Sequence, residues 1–283
     1  MTMSTATLTP PDALVPFGTR PEYWAGHRAS PEQISAWVQQ MERDGYLLIP
    51  KVLPPELCAA LRADLDLQLG EIKKADVHCE LRHRMFEKSR ANLSLFDLEP
   101  IVSFAEALIA PDCHVIHNNA FITMPGQGIS CWHQDDAPHF ITTDGEAPTN
   151  IRLPVLFFTS NYYLTDVLHQ DNGGTEVIPR SHMFGAPCPH DAKGTKWESK
   201  FANPDCNTGP AGSVVLFNNQ SWHRGGPNRS TQTRYVSQIT YARRIIGHKY
   251  HPFMNYQMPE AVYADANPRL KRLLGFLPSG AYG

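Results

Sequence analysis

Apolar residues recur at helical spacing near the start of the chain and at strand spacing further on. Ser30-Pro31-Glu32-Gln33 reads as a helix N-cap, a proline at the first helical position and a capping-box glutamine; Ile34, Trp37, Val38 and Met41 follow along one face. Gly45 ends that helix, Tyr46 to Ile49 forms a short strand, and Pro54-Pro55 opens a second helix with Leu57, Leu61 and Leu65 as its apolar stripe. After Pro111 the texture changes. HVIHNNAFITM, NIRLPVLFFTSNYYLTDV, TEVIP, GSVVLF and RYVSQITYARR all read as strands, separated by Gly, Pro and Asn turns. Strand follows strand with no long helix between, which argues against a parallel α/β sheet and predicts an antiparallel barrel or double-sheet jelly roll. Pro268 to Phe276 reads as a short terminal helix, and no repeat of roughly 20 to 50 residues marks a solenoid or propeller.

At 283 residues the chain fits one large domain with its own core. The expected parts are an N-terminal extension over 1–30, a helix-rich part over 31–112, a jelly-roll core over 113–244 and a C-terminal segment over 245–283. The 25 Lys and Arg against 28 Asp and Glu leave a net charge of -3 with no long run of one sign, so attraction to nucleic acid or to an anionic membrane is not a driving force. No apolar run approaches the roughly 18 residues of a membrane span. The N-terminus lacks the basic and apolar regions of a secretory signal, and six scattered cysteines without a CxxC pair read as free thiols in a reducing cytoplasm. These features leave the oligomeric state open, a homo-oligomer being compatible with them.

Three His-x-acid triplets occur: His78-Cys79-Glu80, His133-Gln134-Asp135 and His169-Gln170-Asp171. Thirteen histidines and 28 acids produce more than one by chance in this length, so context separates them. In extended backbone residues i and i+2 share a side, and a His-x-Asp at a strand end can offer an imidazole and a carboxylate to one ion. His133-Gln134-Asp135 follows a strand and the Gly126/Gly128 turn, whereas His169-Gln170-Asp171 runs into the turn signal Asn172-Gly173-Gly174 and reads as loop polarity. His78-Cys79-Glu80 sits in a polar connection. A third ligand has a natural source in His223, after the GSVVLF strand, with Gly225-Gly226 expected to turn the backbone tightly behind it. Eleven residues later Arg234 begins a returning strand, from which its guanidinium would reach the same cavity and grip a carboxylate with two hydrogen bonds.

WHQDD, NGGTEVIPRSH and HRGGPNRSTQTR, in this order and spacing over about residues 113 to 244, resemble the phytanoyl-CoA hydroxylase-like family of iron(II)/2-oxoglutarate dioxygenases. YLLIPKVLPPELCAALRADLD is similar to that family's N-terminal strand and helix. The resemblance implies a double-stranded β-helix core, His133, Asp135 and His223 as iron ligands, and Arg234 on the distal carboxylate of 2-oxoglutarate. It also implies that Thr175 touches the cosubstrate, with Gln134 assigned to the cofactor site and, like Trp222, supporting the ligand geometry. Three positions depart from some relatives: Gly225 stands where a hydroxyl residue occurs, Ser130 where a glutamine occurs, with Gln127 a candidate replacement, and Met124 where a lysine occurs. His182 reads as part of a structural turn, while Phe86, Phe140, Phe184 and His139 are open between pocket lining and packing.

Two histidines and one carboxylate leave three open positions on octahedral iron(II), for a 2-oxo acid and dioxygen. The implied chemistry is oxidative decarboxylation to succinate and CO2 coupled to removal of hydrogen from a C–H bond. Asp135 favours hydroxylation, desaturation or cyclisation over halogenation, since related halogenases carry a small residue there. The expected substrate is a small organic molecule, most simply a specialised metabolite. The alternatives are an acyl-CoA hydroxylase, for which no Lys/Arg cluster marks a CoA phosphate site, and a cupin-like metal isomerase or binding protein, which would not need Arg234.

Overall fold

The computed structural model describes residues 26–67, 71–75, 79–143, 148–250 and 255–276. The expected N-terminal extension up to residue 25 lies outside the described residues, as does His78. In chain order the elements are α1 (Pro31–Asp44), β1 (Tyr46–Ile49), α2 (Pro55–Asp66), β2 (Glu71–Ala75), β3 (Glu80–His83), α3 (Arg90–Ser94), α4 (Ile101–Leu108), β4 (His114–Thr123), β5 (Ile129–His133), β6 (Phe157–Tyr163), β7 (Thr175–Val177), α5 (Glu198–Phe201), β8 (Asp205–Asn207), β9 (Val214–Asn218), β10 (His223–Gly225), β11 (Arg234–Ala242), α6 (Glu260–Tyr263) and α7 (Pro268–Leu273).

Helix α1 starts where the sequence places it. The Ser30 hydroxyl accepts from the Gln33 amide at 3.2 Å, and Gly45 closes the helix at φ 86°, a left-handed conformation that glycine adopts without a Cβ clash. The strands form two sheets. The larger runs β1-β9-β6-β11-β4-β3-β2 and the smaller β5-β10-β7-β8, with every neighbouring pair antiparallel. This is the jelly roll that the succession of strands predicts.

The helix-rich stretch also supplies strands: β1, where the sequence places it, pairs with β9, and the β2–β3 hairpin, which the pattern did not announce, extends the sheet beyond β4. The stretch over 150–167 forms a strand only across Phe157–Tyr163. Pro154 in the preceding segment has no amide hydrogen to give a ladder.

Alternation on the larger sheet divides core from cavity. Tyr241 and Ile239 on β11, Phe158 and Tyr162 on β6, and Val214 and Leu216 on β9 face outward into one apolar cluster with the α2 stripe Leu57, Leu61, Leu65 and with Phe104 of α4. Phe104 meets Phe158 edge-on at 5.3 Å, and Tyr241 stacks on Phe158 at 5.4 Å. The intervening residues Arg234, Val236, Gln238 and Thr240 of β11, with Thr159, Asn161 and Tyr163 of β6, face the smaller sheet and line a cavity. Burying the outer face behind helices thus leaves the inner face for polar groups. Among the described residues no helix is long and apolar enough to cross a membrane.

Candidate metal centre and cosubstrate pocket

His133 is the last residue of β5 and His223 the first of β10, and the antiparallel register sets them directly opposite each other. Their rings lie 4.3 Å apart, centroid to centroid. Asp135 is two residues beyond His133, its amide donating to the Asn219 carbonyl at 3.0 Å, so the carboxylate is fixed beside both rings. The two Nε2 atoms lie 3.9 and 3.7 Å from Asp135 Oδ1, and one ligand atom from each residue falls within 4.8 Å of the others.

The tautomers follow from the outer bonds. His133 Nδ1 is 3.0 Å from the Cys131 carbonyl and His223 Nδ1 is 2.9 Å from the Ser221 carbonyl. A carbonyl only accepts, so each Nδ1 carries the hydrogen and each Nε2 turns a lone pair toward the shared centre. Burial pushes His223 down to about 4, against the pull of Asp135 and with His133 adding to the depression, so this imidazole is neutral at neutral pH. Thr159 Oγ1 stands 3.5 Å from the other Asp135 oxygen and 3.1 Å from Thr240 Oγ1, while Phe217 packs on the His223 ring at 4.2 Å.

The trio opens into a cavity of about 310 Å³, and Arg234 lies along the same wall. The residue is 6% exposed, its guanidinium donating to the Gly226 carbonyl at 3.3 Å and to Thr123 Oγ1 at 3.1 Å, with Nε buried and unpartnered. Burial acts against its charge, and among the described residues no carboxylate pairs with it. Thr175 faces it from β7, directly opposite Gly225. The Thr175 hydroxyl accepts from Asn161 Nδ2 at 3.2 Å, which ties it to the cavity wall.

Gly225 and Gly226 do not make the tight turn expected of them. Gly225 belongs to β10, and a Cβ there would come within 3.2 Å of Ile129 and 3.4 Å of Arg234 Nη2; a Cβ on Gly226 would meet the Gly174 carbonyl at 2.9 Å. Their absent side chains make room for the neighbouring strand and for the guanidinium.

Gln134 does not line the cavity. Its Oε1 accepts from Trp222 Nε1 at 3.2 Å and from the Cys188 amide at 2.9 Å, and its Nε2 donates to the Asp136 carbonyl at 2.8 Å. The cofactor-site assignment of Gln134 is therefore corrected: it braces the segment between the ligands, with fully buried Trp222 behind it. Gln127 instead caps its own turn by accepting from the Met124 amide at 3.0 Å. His169, Gln170, Asn172 and Gly173 close on one another as a turn, and Asp171 faces Arg229 at 3.7 Å, away from the trio. His182 is buried with Nε2 3.1 Å from the Glu42 carbonyl, a structural role. Phe86 and Phe184 are packing residues, against Phe96 and Tyr250 and against Trp197 and Trp222; His139 and Phe140 line a separate cavity.

Sequence reasoning passed over the amide row on the cavity floor. Asn119 Nδ2 donates to Gln238 Oε1 at 3.2 Å, and Gln238 Nε2 donates to Asn161 Oδ1 at 3.0 Å, continuing to Thr175. The available signal was polar residues at alternate positions of otherwise apolar strands, Thr159 and Asn161 in FFTSNYY and Gln238 and Thr240 in RYVSQITYA.

The family model for phytanoyl-CoA dioxygenase (PhyH) matches residues 41–236. The chain belongs to this family. A dioxygenase of Aspergillus terreus (strain NIH 2624 / FGSC A1156), trt7, is 21% identical over 268 residues, covering 87% of this chain and 84% of its own. L-proline trans-4-hydroxylase of Streptomyces griseoviridis is 25% identical over 256 residues, covering 80% and 91%. Among solved structures, HygX from Streptomyces hygroscopicus with nickel and 2-oxoglutarate bound superposes with a TM-score of 0.62 at 13% identity, over 79% of this chain and 90% of that one. The fold of this family member is thus that of a jelly-roll oxygenase.

Proposed function

We propose that His133, Asp135 and His223 are the metal-binding centre of an iron(II)/2-oxoglutarate-dependent oxygenase that oxidises a C–H bond of a small organic metabolite. One observation carries the reading: two imidazole lone pairs and a carboxylate converge at one point of a cavity whose wall also holds a buried, carboxylate-free guanidinium. The donor set fits iron(II), since two imidazoles and one carboxylate form the facial arrangement that leaves positions open for cosubstrate and dioxygen. Arg234 fits 2-oxoglutarate, because an isolated buried cation is costly unless an anion joins it. The small-metabolite reading is supported by similarity to an L-proline trans-4-hydroxylase and by a cavity at the small end of ligand pockets. With six cysteines and no pairs among those described, a reducing cytoplasm and a single domain over 1–283 complete the proposal.

Bound together, iron(II), 2-oxoglutarate and dioxygen supply decarboxylation to succinate and CO2 and the oxidising power to take hydrogen from carbon. The residues of the chain do the rest. The backbone carbonyls of Cys131 and Ser221 hold the two imidazoles in the tautomer that presents Nε2. Arg234 anchors the far carboxylate with its planar fork, and Thr175 donates from the facing strand. Thr159 steadies the Asp135 oxygen. The apolar row Phe121, Val236 and Tyr163 lies between the arginine and the amide row, keeping water from the cosubstrate chain.

Succinate release from 2-oxoglutarate, measured with iron(II) and oxygen, tests the assignment. The wild type is expected to form succinate and Asp135→Ala to lose nearly all of it while staying folded. Full succinate formation by Asp135→Ala would overturn the ligand set.

A further inference from the structure

The walls of the metal cavity hold one more charge with no role in the reading above. Lys249 follows β11, beyond the segment that carries the trio and Arg234, and its amide donates to the Ile116 carbonyl at 2.9 Å, beside the start of β4. The side chain lines the metal cavity, and its Nζ lies 4.8 Å from the centre of the Phe157 ring. That cation–π contact favours one position for a normally mobile ammonium. Among the described residues no carboxylate stands within ion-pair distance of it.

Its position follows from the register. On the inner face of the larger sheet, Thr123 lies beside Arg234, Phe121 beside Val236, Asn119 beside Gln238 and His117 beside Thr240. The cosubstrate arginine therefore sits at one end of these rows. The Ile116–His117 end, where Lys249 is tied down, is the other, with the Asp135 partner Thr159 opposite Thr240. A molecule held by Lys249 lies across the metal centre from the arginine, at the end the cosubstrate does not occupy.

Charge decides what that molecule carries. Arg224, also on the wall, is paired with Glu176 and stacked over Trp132 at 4.6 Å. Asp135 and Arg234 balance each other, and iron(II) and the 2-oxoglutarate dianion balance each other. One positive charge remains on the loaded cavity, that of Lys249. The surrounding wall is neutral and hydrogen-bonding, with Asn119, Gln238, Thr240 and Thr159, which suits a small polar molecule and not a long hydrocarbon chain.

We propose that Lys249 is the specificity-determining residue of this oxygenase and that its substrate is a small polar monocarboxylate whose carboxylate pairs with the Lys249 ammonium. The proposal rests on the functional reading above and deepens it. A single negative charge completes the balance, whereas a dianionic phosphate would exceed it.

The test uses protein loaded with zinc(II), which occupies the centre without redox chemistry, and with 2-oxoglutarate. The probes are a panel of amino acids, cyclic imino acids and hydroxy acids, each paired with its primary amide, and binding is read by saturation-transfer NMR titration. At least one acid is expected to bind the wild type about tenfold more tightly than its amide, the scale of one charge-assisted hydrogen bond. That preference should be lost in Lys249→Met and kept in Lys249→Arg, which retains the charge. Acids binding no better than amides anywhere in the panel, or an acid preference unchanged in Lys249→Met, would overturn the proposal. Calorimetric titration of the zinc-loaded wild type with 2-oxoglutarate separates the two levels. Absence of cosubstrate binding defeats the functional reading itself, while cosubstrate binding with indifference to the carboxylate defeats only the role of Lys249.

Discussion

Removing the Arg234 guanidinium should sharply weaken cosubstrate binding at little cost to the fold, and the structure gives the size of both effects. The group is almost wholly buried, donates to Gly226 and Thr123, and carries one buried N–H without a partner. Arg234→Ala loses two hydrogen bonds of about 1 kcal/mol each, but it also removes a desolvated and unpaired cation, so the two changes offset. Stability without 2-oxoglutarate is therefore expected to shift by less than about 2 kcal/mol. Cosubstrate binding loses a bidentate, largely desolvated charge pair, worth roughly 2 to 5 kcal/mol, or about 30-fold to several thousandfold in affinity. Arg234→Lys keeps the charge without the fork and should fall between. The assay is anaerobic titration of the iron(II)-loaded protein with 2-oxoglutarate, followed by the visible charge-transfer band and by calorimetry. Thermal unfolding adds a linkage readout, because 2-oxoglutarate at about a hundred times its Kd stabilises the wild type by about 2.7 kcal/mol and should stabilise the Ala variant by less than about 1 kcal/mol. An unchanged dissociation constant in Arg234→Ala would refute the placement of the distal carboxylate.

Two further outcomes are expected. Replacing both His169 and Asp171 with Ala should lower stability by about 1 kcal/mol and leave the iron stoichiometry intact, since both belong to an exposed turn; metal loss in a folded double variant would contradict this. His248 packs edge-on against His114 at 5.4 Å, and burial, with His114 adding to it, holds its pKa down to about 4, below the ordinary value near 6.5. The unfolded chain therefore takes up the proton first. The contribution of His248 is fully present above the ordinary histidine pKa and is lost as pH falls toward 4, by about 1 kcal/mol between pH 7 and 5 after allowing for its partial exposure. Urea unfolding at both pH values should show a smaller loss in His248→Gln, and an equal loss would contradict the assignment.

The legible parts of this fold were those whose information is local. The 10 residues of β4 and the nine of β11 are long runs rich in β-branched and aromatic residues that declare themselves, and Ser30 and Gly45 mark the ends of α1 through their own chemistry. Strands β8 and β10 have three residues each, too short for a period to emerge, and exist because partners meet them; β7, equally short, is legible only through the apolar run that follows its Thr175. The β2–β3 hairpin likewise gains its place from β4. The same division runs through the site. His133 and Asp135 were readable because alternate residues of extended chain share a side, and Arg234 because its distance from His223 spans one strand reversal. Gly225 and Gly226 looked like a turn but answer to the close approach of Ile129, Arg234 and Gly174, which only the folded chain reveals. Lys249 and the Asn119–Gln238–Asn161 row become a surface only once β4, β6 and β11 are known to lie side by side.

Anaerobic iron(II) titration of the wild type, His133→Ala and His223→Ala, read as bound metal per chain, tests the central claim most directly. One iron per wild-type chain, with most of the affinity lost in both folded variants, is the result expected of two Nε2 atoms and one carboxylate oxygen held within 4.8 Å. Wild-type-like iron binding in both variants would contradict it.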